Sequence, residues 1–411
     1  MNMSQRTIAI ALVVFFLIVG GLYLVFSSAL RQEGGGEKSL LSDFFPFGRG
    51  GTTDGADGGG APDGVLEEGE ELPAPVFRKI SAAPVAGASL FTRDGKTVIR
   101  FIESETGHVY ETSSDSLTQT RISNTTIPRI QEAVWFSSGE ELIIRYLDED
   151  AERVINFAAR INSSQEEGGA LAGTFLSSNI VSLAISPDGK TLFSVKKDNG
   201  GAAGLVSNPD GSREREVWRS PISQWHASWP NASTVSLLSK PASSVFGYLY
   251  FLQTASGSFT KVVGDIPGLT ASVSPDLSFV LLGASTGNGI ELSALERKSG
   301  EITRFTPPTL PEKCAWSRAQ KTVVICGVPH TIPAAPYPDR WYQGFVSFSD
   351  AIWKFDIAAG TANLLFTPRE SEGEAVDIIS PLLSEDGTYF LFRNKKDSSL
   401  WGLQLPPATD N

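Results

Sequence analysis

The side chains best suited to chemistry are few and scattered along this chain. Its only histidines, His108, His226 and His330, have no cysteine or carboxylate near them at metal-ligand spacing. A zinc site needs several such ligands to converge, so neither a metal nor a cofactor is expected. Residues 283–287 read GASTG and match the pattern around a hydrolase nucleophile. That mechanism requires a strand, a sharp turn and a helix, with His and acid partners following, whereas Ser285 falls between two expected strands. Asp148, Glu149 and Asp150 lack the alternating oxygen ligands of a calcium loop and read as a solvated turn. Asn124, Asn162 and Asn231 each begin an Asn-x-Ser/Thr sequence, a glycan acceptor only in a host with that pathway. No residue is expected to do covalent chemistry. The enzyme alternative is a lyase or hydrolase that uses carboxylates and arginine at a channel mouth, for example Asp339 and Arg340.

Two cysteines add a redox question. Cys314 and Cys326 are each six residues from Gln320. Equal spacing about a short loop sets them opposite each other on adjacent antiparallel strands, with Cβ atoms about 4.5–5.5 Å apart. A bridged pair prefers about 3.5–4.5 Å, so slight adjustment suffices for a disulfide in an exported chain. The alternative is two buried free thiols side by side.

These residues sit in a repeat that returns seven times. It reads SLFTRDGK from 89, AVWFSSGE from 133, LAISPDGK from 183, ASWPNAST from 227, ASVSPDLS from 271, CAWSRAQK from 314 and PLLSEDGT from 381. Each is an apolar run, a polar turn and a second β-rich run. A period of about 45 residues with all-strand content predicts β-propeller blades. Later strand pairs follow the same order, as in LYFLQTASGSFTKVV at 249–263 and IWKFDIAAGTANLLF at 352–366. The seventh repeat supplies three strands and then the chain ends. PVFRKIS at 75–81 is strand-like and otherwise unassigned, which predicts that it closes the ring as the missing fourth strand. The fold class is all-β, a seven-bladed propeller over residues 76–405 with a tail at 406–411.

The Pro-Asp turns, above all ISPDGKTLF at 185–193 and VSPDLSF at 273–279, resemble the WD40-like Pro-Asp repeats of TolB-type propellers. The resemblance covers the propeller alone. It implies a periplasmic partner of other envelope proteins, so binding rather than catalysis. The Gly-His and Trp-Asp dipeptides of true WD40 repeats do not recur here.

One interval is about 20 residues too long. The excess, GVPHTIPAAPYPDRWYQGFVSFSD at 327–350, joins the second and third strands of blade six, on the face where blades are linked and ligands enter the channel. It carries Tyr337, Asp339, Arg340, Trp341, Tyr342 and Phe345, and aromatic and arginine side chains are enriched at interaction hot spots. It reads either as a partner-binding element or as a lid over the channel. Arg129, Trp225 and His226 lie in loops of the same face and are candidates to share its pocket. Each also reads as ordinary loop, with Trp225 packed between blades.

Residues 1–6 form a short tail. Residues 7–27 contain 20 consecutive uncharged, mostly apolar positions, enough for a transmembrane helix. The alternative is a cleaved signal peptide, and either one exports the rest. Residues 28–75 are rich in Gly and acid, which predicts a flexible linker. The formal net charge is −12, and no basic stripe tracks a nucleic-acid backbone. Expected contacts are therefore the membrane through the N-terminal helix and a protein partner in a cell envelope; a glycan is the third possibility, and nucleic acid is not expected.

Overall fold

The computed structural model describes residues 76–150, 152–162, 168–368 and 375–406. The expected span at 7–27, the linker at 28–75 and residues 407–411 of the tail lie outside the described residues. Among those described, no helix is long and apolar enough to cross a membrane.

The described residues form seven four-stranded antiparallel sheets. Six take their strands in chain order. The seventh combines Ile378–Leu383, Tyr389–Asn394 and Leu400–Gln404 with Phe77–Ser81, which pairs with the last of these from Phe77↔Leu403 to Ser81↔Leu400. This is the closure that the three-strand ending predicts. The Phe77 ring lies 5.0 Å from Trp401 and 4.8 Å from Phe366, so it fills space between blades six and seven. Arg78 reaches the other way and donates to the Ser113 carbonyl at 2.7 Å and to that of Ser116, both in blade one. One short strand therefore binds the last blade to its own third strand and to the first blade.

The Pro-Asp turn recurs because it satisfies its own polar groups. Ser186 Oγ donates to Asp188 at 2.6 Å and accepts the Thr191 N–H at 3.0 Å. Asp188 accepts the Lys190 N–H at 3.1 Å. Ser274 with Asp276, and Ser384 with Asp386, repeat the pattern. The residue after each Asp is left-handed, at φ 69° for Gly189, 63° for Leu277 and 74° for Gly387. A Cβ on Gly189 would meet Ser137 Oγ of the preceding blade at 2.5 Å, so this turn also sets the spacing between blades.

In blade six the register sets Cys314 opposite Cys326, with Cα atoms 4.0 Å apart and the sulfurs bonded. Equal spacing about Gln320 requires that register.

Candidate functional site

The insertion leaves the second strand of blade six (Val323–Pro329) and returns at the third (Asp350–Asp356). It therefore lies on the face where every blade begins its first strand. Asp339–Tyr342 makes one helical turn. The insertion is fastened across several blades. Asp339 accepts the Ser243 N–H at 2.5 Å in blade four, the Ala335 N–H donates to Asn288 O in blade five, and Tyr342 Oη donates to Glu312 on the approach to blade six.

Its aromatic residues divide into two groups. Tyr337 and Trp341 are buried, only 1% and 4% exposed, and pack with Phe348, Leu310 and Ile290. Phe345 is 72% exposed and Tyr342 43%. The exposed Arg340 sets its guanidinium 4.9 Å from the Phe345 ring centre.

Beneath Trp341 lies a group of charges absent from the sequence reading. Lys313, Asp350 and Asp377 are wholly buried, and Lys313 Nζ sits 2.8 Å from Asp350 and 2.6 Å from Asp377. Asp377 also accepts Trp341 Nε1 at 3.0 Å, the Phe348 N–H at 3.0 Å and Ser347 Oγ at 3.1 Å. Lys313 lies 4.9 Å from the Trp341 ring centre and 5.2 Å from that of Phe348, within the range of cation–π attraction. Burial pushes the Asp350 carboxyl up from its ordinary 3.8, against the pull of the Lys313 ammonium. The only sequence signal for this cluster is positional: Lys313 and Asp377 each immediately precede the first strand of a blade.

The other residues of this face stay apart from the insertion. Arg129, with φ 60°, donates to Glu149 O at 2.9 Å within blade two. Trp225 is buried and donates to Ile222 O at 3.0 Å, with Trp218, Tyr250 and Phe259 around it. His226 is exposed on the first strand of blade four. The hydrogen bonds of the insertion reach none of the three.

Fold and site together define a closed seven-bladed β-propeller with one face fastened by an insertion, a scaffold with TolB and other propellers among its structural neighbours. No family model matches the chain, and no curated protein matches it. Three solved structures show the spread of that likeness. TolB from Acinetobacter baumannii is 10% identical with a TM-score of 0.43, over 76% of this chain and 65% of that one, so the chain spans slightly less than two thirds of TolB. An oligogalacturonate lyase in complex with manganese is 10% identical with a TM-score of 0.55, over 80% and 93%. Hydrazine synthase from Kuenenia stuttgartiensis is 13% identical with a TM-score of 0.50, over 84% and 100%. Identities this low show a shared fold and nothing finer.

Proposed function

We propose that the chain is an envelope protein held to a membrane by residues 7–27, whose propeller lies outside the cytoplasm and binds a protein partner through the exposed side of the insertion. The observation that carries this reading is the exposed pair Phe345 and Arg340 beside Tyr342, on and just after a helical turn pinned from below by the bond of Trp341 to Asp377. Anchors held in place before binding lose little conformational freedom on association, and aromatic and arginine side chains supply most interface hot spots. Export is supported by the apolar run at 7–27 and by the bonded cysteines.

The lyase reading draws no support from the same residues. Asp339 is spent on a backbone N–H and Arg340 on a phenyl ring. Among the described residues, no three His, Cys, Asp or Glu gather into a group that could hold a metal ion.

The test is affinity capture by the full chain from its own membrane. Arg340→Ala with Phe345→Ala should reduce partner recovery about tenfold or more, the scale of one lost hot spot, with an unchanged melting temperature. Recovery at the wild-type level by the double variant would overturn the reading.

A further inference from the structure

The central channel holds a cavity of about 590 Å³, bounded by the first strands of the blades. That volume lies within the range of small-molecule sites. Much of the wall is apolar, with Leu90, Trp135, Trp316 and Leu382 among its residues. Its charged residues are Glu132, Arg318, Glu385 and Arg393. Arg318 and Glu385 are exposed on the turns at the end away from the insertion. Glu132 is paired with Arg145 at 2.7 Å.

Arg393 has no such partner. Its guanidinium is held by two neutral acceptors, Val85 O at 2.9 Å from Nη1 and Ser380 Oγ at 3.0 Å from Nη2, while the buried Nε bonds to nothing. Among the described residues no carboxylate forms an ion pair with it; the Glu132 carboxylate acts on it only through space. Two other buried cations are paired with carboxylates, Arg100 with Glu111 and Glu140 and Lys313 with two aspartates, whereas Arg78, which like Arg393 has only neutral acceptors, lies outside the cavity lining. A guanidinium that is oriented, partly desolvated and bonded to no anion at the wall of a cavity is arranged to receive one.

We infer that the central channel binds a small organic acid, with its carboxylate on Arg393 and its apolar body against Leu90, Leu382 and Trp316. A monocarboxylate fits better than a phosphate, since Arg393 is the one guanidinium set back from the exposed turns and the carboxylate of Glu132 lines the cavity too. This site is independent of the insertion surface.

The probes are 3-phenylpropionate and its neutral isostere 3-phenylpropionamide, titrated into the full chain by calorimetry and by the fluorescence of the tryptophans lining the cavity. The acid should bind about tenfold or more tighter than the amide, the scale of a charge-assisted contact. Arg393→Gln should remove that preference and leave amide binding unchanged, while Arg393→Lys should retain part of it. The comparison of acid with amide on the unaltered chain holds even if a variant fails to fold. Equal affinity for the two probes, binding of neither, or an acid preference that survives in Arg393→Gln would overturn the assignment.

Discussion

At the residue scale, the costliest feature of the molecule is the wholly buried Lys313 with its two carboxylates. Charges taken out of water are tolerated only when their partners are complete, and removing one partner from such a pair typically costs about 3–5 kcal/mol. Lys313→Met should therefore destabilise the protein by about that amount in urea unfolding at neutral pH. The loss should shrink on acidification. Without the ammonium, Asp350 would hold its proton more tightly in the folded state than in the unfolded one. A carboxyl whose folded value is raised contributes stability that is fully present below the unfolded value, 3.8 for Asp350, and lost as pH rises through the folded value. The gap between variant and wild type should widen from acid to neutral pH, and a gap independent of pH would show that the cluster is not ionic.

At the element scale, the repeated turn both closes a hairpin and touches the neighbouring blade, and the two roles can be separated. Gly95, at φ 76° in the repeated turn of blade one, has open space where a Cβ would go, so Gly95→Ala should cost only the left-handed backbone, about 1–2 kcal/mol. Gly189→Ala should cost more, because its Cβ meets Ser137 Oγ as well; equal losses in thermal unfolding would count against the inter-blade contact. The Ser186 hydroxyl and the Lys190 N–H hold the Asp188 carboxyl below its ordinary 3.8, so its contribution is present above that value and lost as pH falls through the folded one. The strands were legible in the sequence because hairpins are local: alternating apolar residues and a self-satisfied turn announce themselves within ten or so residues, and a spare strand before the first repeat announces the closure. The Lys313 cluster was not legible, because positions 313, 350 and 377 meet only once three segments have folded. The length of the insertion was also readable. Which of its rings face inward was not, since Trp341 and Phe345 are four residues apart and only their neighbours distinguish them.

At the scale of the whole molecule, the ring depends on a strand from the opposite end of the sequence. Removal of residues 1–81 should expose the last strand of blade seven, cut the bond from Arg78 to blade one and lower the melting temperature, because an open propeller edge is also an aggregation site. Removal of residues 1–72 should leave the melting temperature unchanged. Equal values for the two truncations would contradict the closure.

The same strand has a mechanical consequence. Val76 and Phe77 lie beside Leu403 and Gln404, at the end of blade seven away from the face that carries the insertion. If the chain is anchored and engaged as proposed, a pull between the partner on that face and the membrane would run along the strand axis. The bonds of Phe77–Ser81 to Leu400–Gln404 would then bear the load together, in shear, rather than open one at a time as a zipper does, and the joint that completes the ring would be the one oriented to resist tension.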